Sequence, residues 1–217
     1  MSLMSAIRGA IFDMDGTLLD SMPIYETLVP DLLKSMGREP RADLYEALRP
    51  LSGLQVAEYL RREYGLTETA RELRDALDRR LERFYGEVAP LKAGVEDLLK
   101  TLATQGVKMC VATATARYLT ESAMRRVGIM RYFTRVYSCA EEGVGKDDTA
   151  FFLRVARDLG TAPAETVVFE DALHAAETAK RAGFVVVAVH DKSAERHRTR
   201  LQEVADAYVE SLEGFEV

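Results

Sequence analysis

Short aliphatic runs alternate with segments of helical periodicity along most of this 217-residue chain, and one long helical stretch interrupts the alternation. Residues 7–12, apolar except for Arg8, read as a buried strand. From about residue 22 to 87 the pattern turns helical almost throughout. Leu54, Ala57, Tyr59 and Leu60, then Leu73, Ala76, Leu77, Leu81 and Phe84, recur at the spacing of amphipathic helices, and four helices are expected there. Beyond Pro90 the spacing predicts a helix over 95–102 ending near Gly106, a strand over 107–113, and a helix over 118–127 stopped by Gly128. A strand over 136–139, a helix over 150–159 closed by Gly160, a strand over 166–169 and a helix over 173–182 ending at Gly183 follow. Strands over 184–189 and, more briefly, 207–209 complete the series. Strands of this kind between helices predict the α/β class, a parallel sheet covered by helices on both faces. The helical block reads as an insertion after the first strand, so residues 1–19 and 89–217 form one domain and 20–88 another.

Composition narrows the class. With 47% hydrophobic and 29% charged residues the chain can bury a substantial core, and nothing suggests disorder. A formal net charge of −6 argues against nucleic acid or an anionic membrane as partner. The basic clusters Arg61-Arg62, Arg79-Arg80 and 196–200 are interleaved with acids or lie on helix exteriors, as solvated faces do. Cys110 and Cys139 sit in apolar strand-like runs with no zinc or redox spacing, and both read as reduced core residues. No run approaches the roughly 18 apolar residues of a membrane helix, and no signal peptide is recognisable. Cytoplasmic residence and, by default, a monomer are expected.

Candidate chemistry gathers where predicted strands end. Ala10-Ile11-Phe12-Asp13-Met14-Asp15-Gly16-Thr17-Leu18 sets two carboxylates two residues apart, on one face, before a Gly-Thr turn. The carboxyl end of a strand opening into a glycine turn is where α/β sheets bind ligands. One aspartate there can attack while the other handles a proton; an ordinary strand-to-turn junction would use the same residue types. Val111-Ala112-Thr113-Ala114-Thr115 carries hydroxyls and amides into a helix start, suited to a phosphoryl group or to simple capping. Gly145-Lys146-Asp147-Asp148 places a lysine in a polar loop, and Val167-Val168-Phe169-Glu170-Asp171-Ala172 ends an apolar run in adjacent carboxylates.

Taken together, in this order and spacing, the four segments resemble the haloacid dehalogenase superfamily of phosphohydrolases over essentially the whole chain. The likeness is to the branch of phosphoglycolate phosphatase-like and beta-phosphoglucomutase-like enzymes. It implies a Rossmann-like core and an inserted helical cap. It also implies roles: Asp13 as nucleophile, Asp15 as acid and base with its backbone carbonyl on the metal, and Glu170 with Asp171 as further Mg²⁺ ligands. Thr113 would hold the transferring phosphoryl oxygens and Lys146 would neutralise charge between Asp13 and phosphate. Gly16, Thr17 and Ala114, in the loops around that group, would be substrate-binding residues. Two carboxylates about 4 Å apart repel by roughly 4 kcal/mol at an effective dielectric near 20, so Mg²⁺ and Lys146 are both needed to hold a dianionic phosphate. An acid at position 15 separates the chain from the dehalogenases.

Departures from the branch pattern bear on substrate. Tyr25 stands where relatives commonly have a histidine. The Gly-x-Ser-Arg loop with which the mutase grips a second phosphate is replaced by Pro50-Leu51-Ser52-Gly53, although Arg49 is near. The usual Lys-Pro-x-Pro-Asp is Lys146-Asp147-Asp148-Thr149-Ala150, and Ala172 replaces a serine. Tyr25, Arg49 and Ser52 are the candidate cap contacts to substrate. The expectation is a Mg²⁺-dependent phosphatase of a small phosphorylated metabolite, a sugar phosphate or phosphoglycolate-like acid, working through an aspartyl-phosphate. A phosphosugar mutase is the alternative; a catalytically silent module on the same fold would have lost the nucleophile or the acid, and both are present.

Overall fold

Gly9–Phe12, a run with no polar side chain and fully buried, makes the first strand, β1, of a six-stranded parallel sheet. The computed structural model describes residues 7–48, 51 and 53–215. These fall into two compact units, one from the ranges Met1–Met22 and Ala89–Val217, the other from Pro23–Val88.

The first unit contains β1, β2 (Lys108–Thr113), β3 (Val136–Ser138), β4 (Thr166–Glu170), β5 (Val185–Val189) and β6 (Ala207–Val209) in the order β3-β2-β1-β4-β5-β6. Gly9 pairs with both Lys108 and Thr166, so β1 lies between β2 and β4. Burial on both faces explains why the central strands β1, β4 and β5 carry unbroken apolar runs rather than alternating. On one face Ile11, Cys110, Val168 and Val186 pack with Phe152 and Val155 of one helix and Ala175 and Ala179 of another. On the other, Phe12 and Phe169 stack at 4.4 Å, with Phe133 and Phe215 edge-on.

In the second unit four α-helices are described: α1 (Pro23–Ser35), α2 (Leu44–Leu48), α3 (Gly53–Tyr64) and α4 (Ala70–Arg83), followed by a π-helical turn at Phe84–Val88. Leu32, Leu33, Leu60, Leu73 and Leu77 form its core. α4 begins where a capping box can close: the Thr69 hydroxyl accepts from the Glu72 N–H and the Glu72 carboxylate accepts from the Thr69 N–H.

The remaining helices belong to the first unit: α5 (Val95–Thr104), α6 (Arg117–Arg126), α7 (Cys139–Glu142), α8 (Thr149–Leu159), α9 (Leu173–Arg181) and α10 (Arg198–Val204). Two details differ from the sequence reading. Cys139 is not a strand residue but opens α7 and is only partly buried, because β2 ends at Thr113 and the last β2–β3 pair is Thr113 with Ser138. The segment 192–204, without a predicted element, is a 3₁₀ stretch (Lys192–His197) leading into α10; only Ala194 and Leu201 are buried there, too few apolar positions to show a period. Among the described residues no helix is long and apolar enough to cross a membrane.

Candidate active site

Because β1 sits between β2 and β4, the carboxyl ends of all three strands deliver side chains to one place. Asp13 follows β1 directly, its N–H continuing the ladder to the Phe169 carbonyl at 2.9 Å. The chain then turns tightly: the Gly16 N–H donates to the Leu19 carbonyl, and the Leu18 and Leu19 N–H groups both donate to the Met14 carbonyl. Gly16 has φ +79°, and a Cβ built on it would lie 2.5 Å from Oδ2 of Asp171. Glycine is needed there both for the left-handed backbone and for the approach of that carboxylate.

Lys146 comes from the loop ahead of α8, whose N-cap is Asp148, its carboxylate accepting from the Ala150 N–H at 2.8 Å. The buried Lys146 ammonium donates to Oδ1 of Asp13 and, at 2.8 Å, to Oε2 of Glu170. The other Glu170 oxygen accepts from the Ala172 N–H at 3.1 Å. Glu170 is thus held at both oxygens. Asp13, Glu170 and Asp171 bring carboxylate oxygens within 4.8 Å of one another, all buried.

The electrostatics follow. Burial, reinforced by Glu170 and Asp15 against the pull of Lys146, pushes the Asp13 carboxyl up to about 7. Asp171 is raised well above the usual carboxylate range by burial, then by Glu170 and Asp13. Burial works to lower Lys146, but its attraction to Asp13 and Glu170 outweighs this and holds the ammonium above its ordinary value. Three carboxylates facing one ammonium, with hard oxygen donors in a buried cluster, form a donor set that fits a divalent cation such as Mg²⁺.

Asp15 is placed differently. Both of its oxygens accept hydroxyl hydrogen bonds at 2.6 Å, Oδ1 from Ser21 and Oδ2 from Thr115, and its side chain is not part of the three-carboxylate cluster. Thr113, fully buried, accepts the Thr115 N–H at its own hydroxyl, so it braces the loop that carries Thr115. Ala114 is exposed, and the Thr17 hydroxyl is buried without a partner among the described residues. Tyr25 belongs to the helical unit, where its hydroxyl meets that of buried Tyr85 at 3.0 Å. It also lines a cavity of about 470 Å³ inside that unit, with Val29, Leu48 and Leu77 among the other walls. Arg49 and Ser52 lie outside the described residues.

Ser21 and Thr115 are partners that the sequence reading did not single out. Their only local signal is a hydroxyl residue near a catalytic-type motif, which is too common to select them. Lys92 and Asp191 were likewise missed. Lys92 donates to the Gly16 carbonyl at 2.7 Å and to the Asp191 carboxylate at 3.0 Å, and nothing near either residue in the chain marks the contact.

The family model for haloacid dehalogenase-like hydrolases matches residues 7–183. A phosphorylated carbohydrates phosphatase of Thermotoga maritima is 25% identical, aligned over 82% of this chain and 82% of its own length. A (DL)-glycerol-3-phosphatase of Arabidopsis thaliana is 28% identical over 97% of this chain and 89% of its own. A crystal structure from Thermotoga maritima, described as a candidate beta-phosphoglucomutase, superposes with TM-score 0.81 at 25% identity, covering 95% of this chain and 96% of that one.

Proposed function

As this chain belongs to the haloacid dehalogenase-like hydrolases and is a phosphohydrolase, we propose that it is a Mg²⁺-dependent phosphatase of a small sugar or polyol phosphate or a phosphoglycolate-like acid, acting through an aspartyl-phosphate on Asp13. The observation that carries this reading is the unequal placement of the two aspartates. Asp13 lies against Lys146 in the acidic cluster, whereas Asp15 is held at both oxygens by neutral hydroxyl donors.

In the first step a carboxylate oxygen of Asp13 attacks phosphorus as the bond to the leaving oxygen breaks, and Asp15 delivers a proton to that oxygen. In the second, Asp15 takes a proton from water; the water oxygen bonds to phosphorus and the bond to Asp13 breaks, releasing inorganic phosphate and restoring the carboxylate. Lys146 favours the ionised form of Asp13 that attack requires and offsets charge as the dianionic group arrives. The hydroxyls of Ser21 and Thr115 keep Asp15 from turning towards the cluster. Asp13, Glu170 and Asp171 would hold a Mg²⁺ ion, together with the Asp15 backbone carbonyl, and the bound ion would supply positive charge for the phosphoryl oxygens. The helical unit Pro23–Val88 is the cap of this proposal and the seat of substrate selection, with Tyr25, Arg49 and Ser52 as its contact residues.

The test is phosphate release from a panel of small phosphate monoesters, with Mg²⁺ and with chelator. Metal-dependent release should vanish in Asp13→Asn, and Asp15→Asn should slow turnover and let labelled phosphoenzyme accumulate. Equal release by wild type and Asp13→Asn overturns the nucleophile assignment. Isomerisation that needs a hexose bisphosphate, with no net release, would identify a mutase instead.

A further inference from the structure

Lys92 stands just past the second of the two chain segments that connect the units, where the Asp20 N–H donates to the Pro90 carbonyl and the Lys92 N–H donates to the Leu18 carbonyl. Its side chain is only 16% exposed. An ammonium has three N–H donors, and here each has an acceptor: the Gly16 carbonyl at 2.7 Å, the His190 carbonyl at 2.6 Å and Oδ2 of Asp191 at 3.0 Å. Asp191 is fixed in turn, because its other oxygen accepts both the N–H and the hydroxyl of Ser193. Backbone and side chain of one residue therefore grip the turn after Asp15 at two points, Leu18 and Gly16, and tie it to the loop after β5. Gly16 is also the residue whose missing Cβ lets the Asp171 carboxylate approach.

We propose that Lys92, oriented by Asp191, is a positioning residue of the phosphoryl-transfer site. It holds the Asp15-Gly16 turn at the depth where Gly16 packs against Asp171 and Asp15 reaches Ser21 and Thr115. The inference rests on the roles given above to Asp13 and Asp15. Displacement of a reacting group by about 1 Å costs on the order of 100-fold in rate, which sets the expected scale.

The experiment is a double-mutant cycle of Lys92→Met, Asp191→Asn and the pair, at a temperature where circular dichroism shows each variant folded. Lys92→Met should lower kcat by about 100-fold with KM little changed, as a misplaced reacting group does. Asp191→Asn should act in the same direction, and the pair should be no worse than Lys92→Met, since one clamp is lost once. Amide exchange at Gly16, Leu18 and Leu19 should accelerate in Lys92→Met while exchange in β2, β4 and β5 stays as in wild type. Wild-type kcat together with unchanged exchange in the turn overturns the proposal. So do opposite effects of the two single variants that cancel in the pair, which would mark a general charge effect. If Lys92→Met does not fold, the nearly isosteric Asp191→Asn carries both readouts. If wild type itself releases no phosphate, the functional reading fails, and exchange in the turn still decides the clamp.

Discussion

Raising the pH of the metal-free protein should weaken its fold between pH 5 and 8. Asp13, with an ordinary value of 3.8, is pushed up to about 7 by burial first and by Glu170 second. In the unfolded chain it returns to the ordinary value, so between those limits the native state keeps a proton the unfolded state has lost. Stability from this source is fully present below about pH 4 and is lost as the pH rises through about 7. One proton is worth about 1.4 kcal/mol per pH unit, and integrated from pH 5 to 8 Asp13 alone accounts for about 2–3 kcal/mol. Asp171, raised for the same physical reasons, adds to the fall. Asp191, Glu63 and Glu72 are shifted downwards, so they act in the opposite sense, chiefly towards the acid end of this window and below it. The assay is urea unfolding followed by circular dichroism at pH 5, 6, 7 and 8 in chelator, repeated with Mg²⁺ and with Asp13→Asn. Asp13→Asn should show a shallower fall. Mg²⁺ should stabilise the native state increasingly as the pH rises, because ligand carboxylates must be deprotonated to bind it. A curve in chelator that is flat or rises over this range would refute the burial argument.

Gly16→Ala should destabilise by about 2–4 kcal/mol, combining a left-handed backbone penalty of about 1–2 kcal/mol with displacement of the buried Asp171 carboxylate, and should depress phosphate release; an unchanged thermal midpoint contradicts this. Asp171→Asn should raise the Mg²⁺ concentration for half activity about tenfold or more, in line with losing a ligand charge from the donor set, and an identical metal titration would point to other ligands.

Much of the core was legible because its signals are local. A strand buried on both faces is predominantly apolar, so the apolar runs within Gly9–Phe12, Thr166–Glu170 and Val185–Val189 show themselves without tertiary knowledge. Helix ends at Gly160 and Gly128 are local too, since both glycines take positive φ. Where pairing rather than composition decides an element, the sequence misleads. Val-Tyr-Ser-Cys is a continuous strand-like run, but Cys139 has no ladder partner once β2 ends and joins α7 instead. α10 escaped notice because its burial depends on Leu201 alone.

The sequence by itself determined the α/β class and which side chains could carry the chemistry: Asp13, Asp15, Lys146, Glu170 and Asp171 lie at strand ends or in loops marked by their own neighbours. Only the tertiary structure decided what each touches. Strand order is a long-range choice, and it is the placement of β1 between β2 and β4 that sets Asp13 beside Glu170 and Asp171, and Asp15 beside Thr115, 100 residues away. The partners of Asp15 and the three acceptors of Lys92 come from segments up to 100 residues apart. Hydrogen bonds of a few ångströms between such segments leave no periodicity in the chain, because what selects them is the burial of polar groups that must find partners, and that condition exists only once the sheet has closed around them.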